Sequence, residues 1–186
     1  MVIASGNILS LDNHLVLTGM PGSGKSSVAR LMAFQLGCQA VDTDELIAQQ
    51  AQLTIPQIFT QEGENGFRDH ETRALREALQ PGPGRIVALG GGTVLREENR
   101  ELLQGSLVIY LETSVETLLN RVGAGVGRPL LSDGEQTPRE RLQELLDKRR
   151  PLYESVSTYS VNTDGLEAPA VAARVLEVLG SEVEKA

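Results

Sequence analysis

The sequence predicts an α/β fold in which a five-stranded parallel sheet is flanked on both faces by helices. Short apolar runs alternate with segments of helical period from His14 onward, the strand–helix alternation of a parallel sheet. Several of those runs are apolar at consecutive positions, as expected for strands covered on both sides. The 186-residue chain is 40% hydrophobic and 23% charged, enough for one buried core, and no compositional break marks a second domain.

His14-Leu15-Val16-Leu17-Thr18 is the first strand, followed by a Gly-rich turn and an amphipathic helix from about Lys25 to Leu36. Gln39-Ala40-Val41-Asp42 is the second strand. Thr54-Ile55-Pro56-Gln57 starts a helix with Thr54 as N-cap and Gln57 three residues on. A longer helix runs from about Glu64 to Leu79, and Pro81-Gly82-Pro83-Gly84 ends it. Arg85 to Leu89 is the third strand, Leu107 to Leu111 the fourth, and Tyr159-Ser160-Val161 a short fifth. Thr113 and Glu116 cap the helix after the fourth strand. Thr137-Pro138-Arg139-Glu140 is a capping box with proline at the first helical position, and an apolar-periodic helix from about Ala168 to Leu179 closes the chain. We therefore expect a flexible extension over 1–13 and one domain over 14–186.

Composition excludes several functions. A formal net charge of −8 with 3% aromatic residues is unsuited to nucleic acid, so no nucleic-acid partner is expected. One cysteine, Cys38, and two histidines, His14 and His70, leave no intramolecular disulfide and no zinc cluster. No apolar run reaches membrane-spanning length, and no basic leader precedes an apolar stretch. A cytoplasmic, monomeric protein with no membrane partner is the expectation.

Gly19-Met20-Pro21-Gly22-Ser23-Gly24-Lys25-Ser26 matches G-x-x-x-x-G-K-[ST], the phosphate-binding loop, and it lies between a strand and a helix as that motif requires. Backbone N–H groups of Gly22, Ser23, Gly24, Lys25, Ser26 and Ser27 are the expected cradle for ATP phosphates, at the positive end of the following helix. Lys25, one of three lysines, is expected to face solvent until phosphate arrives, and the Ser26 hydroxyl is a candidate Mg²⁺ ligand. The expected fold resembles the three-layer arrangement of P-loop kinases.

Asp42-Thr43-Asp44 ends the second strand. Alone it would be a turn or N-cap; beside a phosphate loop, one carboxylate could serve Mg²⁺ and the other the attacking hydroxyl. Gly90-Gly91-Gly92 follows a strand and removes side chains from a length of backbone, which would let a polar ligand approach. Arg149 falls on the buried stripe of Leu142, Leu145 and Leu146, where a guanidinium needs an anion unless it snorkels outward. Arg68 shares a helix face with Glu71, Leu75 and Leu79, so its alternatives are an i,i+3 ion pair or a ligand. Arg121 and Arg128 flank a Gly-rich segment, and about 123–134 has the composition of a mobile lid over phosphates.

These pieces together resemble the shikimate kinase family over about Leu15 to Leu179. The similarity is carried by the phosphate loop, D-T-D, Phe67-Arg68, Leu89 to Gly92, Arg128-Pro129-Leu130-Leu131 and Lys148 to Tyr153. The resemblance implies ATP- and Mg²⁺-dependent phosphorylation of the 3-hydroxyl of shikimate, on the route to aromatic amino acids. It implies catalytic roles for Lys25, Asp44 and Arg128, with Ser26 and Asp42 toward the metal. Shikimate would be held by Asp44, Arg68, Gly90, Gly91, Gly92 and Arg149, the arginines gripping its carboxylate. Arg128 would reach the ATP phosphates and Arg121 would lie against adenine. Ala48 stands where the family often has Glu, and the loop from Thr163 to Pro169 lacks the basic residues of some members.

The nearest alternative is another phosphate-loop metabolite kinase, such as a gluconate or nucleoside monophosphate kinase. Neither would be expected to combine G-G-G, R-P-L-L and K-R-x-P-L-Y. A GTPase would need the guanine-reading N-K-x-D, which is absent. A non-catalytic nucleotide-binding module would tend to lose the groups present here at Lys25, Ser26, Asp42 and Asp44.

Overall fold

The computed structural model describes residues 13–122 and 137–183. Within them, β1 (Leu15–Thr18), β2 (Gln39–Asp42), β3 (Arg85–Ala88), β4 (Leu107–Glu112) and β5 (Tyr159–Asn162) form one sheet in the order β2-β3-β1-β4-β5. Every neighbouring pair is parallel. β1 lies at the centre, with Leu15 opposite Ile86 on one side and Leu107 on the other. All four β1 residues are buried, which explains why its sequence is apolar without a break until Thr18.

Seven α-helices cover the sheet among the described residues: α1 (Lys25–Leu36), α2 (Thr43–Ala51), α3 (Ile55–Ala78), α4 (Glu97–Leu102), α5 (Val115–Val122), α6 (Pro138–Val156) and α7 (Ala168–Val183). Leu15 and Leu17 of β1 point into a core built with Val28, Met32, Val171 and Val175 of α1 and α7. Val16 points the other way, into a core with Leu75 of α3, Leu118 of α5 and Leu142, Leu146 and Tyr153 of α6. The period-two alternation of β1 thus feeds both layers. A third cluster, Ile47, Ile58, Phe67 and Ala74, packs α2 on α3 beside the sheet. No helix among the described residues is long and apolar enough to cross a membrane.

The strands, α1, the capping boxes at Thr54 and Thr137, and the start of α7 lie where the sequence predicted. His14 stands just outside β1, and its Nε2 lies 3.0 Å from the Gln80 carbonyl. The predicted helix starts at Ile55 and Glu64 are joined in α3 across Gly63, whose φ of 69° breaks the helical path. Thr113 does not cap α5. It is fully buried and pairs with the Thr163 hydroxyl at 2.8 Å, while Ser114 Oγ accepts from the Thr117 N–H at 3.2 Å. The cause is that β4 runs one residue past the predicted end, to Glu112. Helices α2 and α4 have no counterpart among the predicted elements. Asp42 nucleates α2, its Oδ1 accepting the Asp44 N–H at 2.9 Å and the Glu45 N–H at 3.4 Å.

Candidate active site

Beyond the carboxyl ends of the strands lies a cleft of about 930 Å³, where ligands bind in open α/β sheets. One end is the phosphate loop from Pro21 to Ser27; the other holds Asp44, Arg68, Glu71 and Arg149; Arg121, Leu166, Glu167 and Ala168 line a further part.

The loop's conformation follows from its glycines. Gly22 and Gly24 have φ of 90° and 96°, a left-handed backbone that a Cβ would strain. Gly24 is the N-cap of α1 and supplies no side-chain cap, and no acidic residue occupies the first turn. The helix N-terminus therefore presents its N–H groups and its dipole to an anion. Lys25 does not face solvent as expected. It is 7% exposed, and its Nζ donates to the Gly19 and Met20 carbonyls, each at 2.9 Å. These bonds hold the loop closed on itself.

Ser26 and Asp42 meet directly, the hydroxyl donating to Asp42 Oδ2. Asp42 is thus both the helix cap and the partner of Ser26, one oxygen for each. A hydroxyl beside a carboxylate is a hard-oxygen pair that fits Mg²⁺, which takes few protein ligands and completes its shell with phosphates and water. Among the described residues no group of three or more His, Cys, Asp or Glu side chains could hold a metal by itself.

Thr43, fully buried, accepts the Gly90 N–H at 2.8 Å and so ties D-T-D to G-G-G. The three glycines leave a length of backbone without side chains, and Gly91 and Gly92 line the cleft. The space their missing side chains leave is filled by the protein itself. A Cβ on Gly90 would lie 2.4 Å from Asp44 Oδ1, one on Gly91 2.7 Å from Pro21 Cδ, and one on Gly92 2.1 Å from an Arg68 terminal nitrogen. The turn thereby brings the phosphate loop, Asp44 and Arg68 against one short stretch of backbone.

Arg68 pairs with Glu71 at 2.6 Å and Glu64 at 2.8 Å, so the ion-pair alternative for this residue holds, and it lines the cleft as well. Burial would lower its pKa, but the two carboxylates outweigh that and raise it. Glu71 is 1% exposed. Burial pushes its carboxyl up, Arg68 opposes this, and nearby Asp44 adds to the rise. Arg149 is 7% exposed, inward as the leucine stripe predicted, and donates to the Gly91 carbonyl at 3.2 Å.

Arg121 bonds to the Thr163 and Leu166 carbonyls at 2.9 and 2.7 Å and reaches the Ser23 carbonyl at 3.3 Å. It joins the phosphate loop to the β5–α7 loop. Arg128 and the predicted lid over about 123–134 lie outside the described residues.

Sequence reasoning gave Glu71 a place only as an ion-pair partner of Arg68, and gave Thr43, Thr93 and Tyr153 no role of their own. Thr93 donates to Glu71 at 3.3 Å and Tyr153 to the Gly91 carbonyl at 2.6 Å. Helical spacing was the available signal for two of them: Glu71 is three residues from Arg68 and Tyr153 four from Arg149. Nothing local marks the two threonines.

Residues 21–180 match the family model described as Shikimate kinase. The chain is 46% identical over 164 residues to shikimate kinase of Rhodococcus erythropolis, covering 88% of this chain and 95% of that one. It is 47% identical over 150 residues to that of Rhodococcus jostii, covering 81% and 88% respectively. Its fold superposes on the shikimate kinase of Acinetobacter baumannii, solved in complex with shikimate, with a TM-score of 0.85 and 37% identity over 94% of this chain and 96% of that one. With the phosphate loop, D-T-D and two inward arginines converging on one cleft, the chain belongs to the shikimate kinase family.

Proposed function

We propose that this chain transfers the γ-phosphoryl group of ATP to the 3-hydroxyl of shikimate, giving shikimate 3-phosphate and ADP on the route to aromatic amino acids. One observation carries this: a single cleft joins a phosphate loop to a carboxylate, Asp44, and two arginines, Arg68 and Arg149. That is the donor end and the acceptor end of a kinase for a small hydroxylated acid.

In this mechanism the α1 N-terminus and the loop N–H groups hold the phosphates, and Lys25 turns from the Gly19 and Met20 carbonyls toward the transferring group. Arg68 and Arg149 hold the acceptor carboxylate by charge-assisted bonds, with the Gly90–Gly92 backbone beside them. Asp44 orients the acceptor hydroxyl and takes its proton. The hydroxyl oxygen forms a bond to the γ-phosphorus, and the bond to the bridging oxygen of ADP breaks. Ser26 and Asp42 would hold Mg²⁺, which when bound neutralises phosphate charge. Arg121 is assigned to the adenine, and Arg128 to the ATP phosphates on its sequence context alone. All these roles fall within one chain, so a monomer suffices.

The test is a coupled ADP-release assay offering shikimate, gluconate, AMP, CMP or no acceptor. We expect turnover with shikimate. Turnover with gluconate or a nucleotide alone overturns the assignment.

A further inference from the structure

Tyr153 is fully buried in α6 and is absent from the lining of the cleft, yet it carries a hydroxyl into a mostly apolar core. A phenylalanine would fill the same volume without that group's desolvation cost. The hydroxyl does have a partner. It donates to the Gly91 carbonyl at 2.6 Å, and Arg149, one helical turn back on the same face, donates to the same oxygen at 3.2 Å. A carbonyl offers two lone pairs, so both donors can be accommodated.

We infer that the Tyr153 hydroxyl is a positioning group for acceptor binding: by anchoring the Gly91 carbonyl it sets where Arg149 and the Gly90–Gly92 turn meet the acceptor. This rests on the acceptor end of the cleft proposed above. Gly91 has no slack on its other side, since a Cβ there would lie 2.7 Å from Pro21 Cδ. Gly91 is therefore held between α6, through its carbonyl, and the phosphate loop, through its Cα. Without the phenol, Arg149 is the remaining donor to that half-buried carbonyl among the described residues, and its guanidinium is drawn toward backbone and away from an incoming anion. Burial pushes the phenol up to about 12 while Arg149 opposes the rise, so the hydroxyl stays protonated, and a donor, at ordinary assay pH.

The molecule supplies its own control. Tyr110 stacks on Tyr153 with ring centroids 5.2 Å apart, is equally buried, and has a hydroxyl with no hydrogen-bond partner among the described residues. The experiment compares Tyr153→Phe with Tyr110→Phe, using steady-state kinetics in both substrates, titration with a non-hydrolysable ATP analogue, and thermal melts. Tyr153→Phe is expected to raise KM for the acceptor about three- to tenfold, the range one hydrogen bond carries. Its kcat should hold within about twofold and the analogue affinity should not move, the pattern of lost acceptor binding alone. Tyr110→Phe should leave all three unchanged. An unchanged acceptor KM in Tyr153→Phe overturns the role, as does an equal loss of acceptor and nucleotide binding, or the same rise in both variants. Wild-type turnover of shikimate tests the functional assignment separately, and the difference between the two variants is measured with whichever acceptor the wild type phosphorylates.

Discussion

Gly92→Ala displaces Arg68 without removing its charge. Gly92 has φ −102° and ψ −9°, a negative-φ conformation that alanine can adopt, so the change carries no left-handed backbone strain. The added Cβ would lie 2.1 Å from an Arg68 terminal nitrogen, whereas ordinary contact begins at 3.4 Å. The guanidinium must retreat by about 1.3 Å, and its 2.6 Å bond to Glu71 must lengthen or break. Because the clash is with the far end of a flexible side chain, the fold should be little affected. A guanidinium moved this far forfeits most of a charge-assisted bond to the acceptor, about 1.5–3 kcal/mol, or about 10- to 150-fold in acceptor KM. Steady-state kinetics with thermal melting is the assay, and Gly90→Ala and Gly91→Ala complete the series. A Cβ at Gly90 strikes Asp44, so kcat should fall most. At Gly91 it meets the Pro21 ring, so nucleotide affinity should suffer. A stable Gly92→Ala variant with unaltered acceptor KM would refute the assignment of Arg68 to the acceptor, and three identical kinetic profiles would refute the separation of roles.

Lys25→Met should abolish turnover, with a modest loss of stability because the Gly19 and Met20 carbonyls lose their donor; wild-type kcat in a folded variant removes the loop from the mechanism. Asp44→Asn should lower kcat by about 10²-fold or more while a titrated ATP analogue still binds. Asp42→Asn keeps an oxygen to cap α2 but loses its charge beside Ser26, so its defect should be partly relieved by raised Mg²⁺. The opposite pattern of rescue would mean that the two aspartates have exchanged roles. For Tyr153, whose pKa rises from 10.0 to about 12 on burial, the folded state holds its proton more tightly than the unfolded chain. The stability this contributes is complete below pH 10 and is lost as pH rises toward 12. Urea midpoints across that window should fall less steeply in Tyr153→Phe.

The sequence by itself determined the sheet and the groups that carry the chemistry. Strand positions followed from apolar runs, α1 from the Gly-rich turn and its helical period, and two helix starts from complete capping boxes, all signals within a few residues of each other. The inward face of Arg149 was legible for the same reason, because helical periodicity relates it to Leu142. Tertiary structure decided which groups meet. Asp42 was legible as a cap or a metal ligand, and only the approach of Ser26 from α1, sixteen residues earlier, lets it be both. The G-G-G turn was legible as bare backbone, but what fills it comes from Pro21, Asp44 and Arg68 on three other segments. Thr113 carried a capping pattern that the buried Thr163 hydroxyl, fifty residues away, outweighed. Local signals reflect the geometry of one turn or strand. Contacts over such separations depend on how parallel strands bring their carboxyl ends to one edge, and a linear pattern does not encode which neighbours that edge supplies.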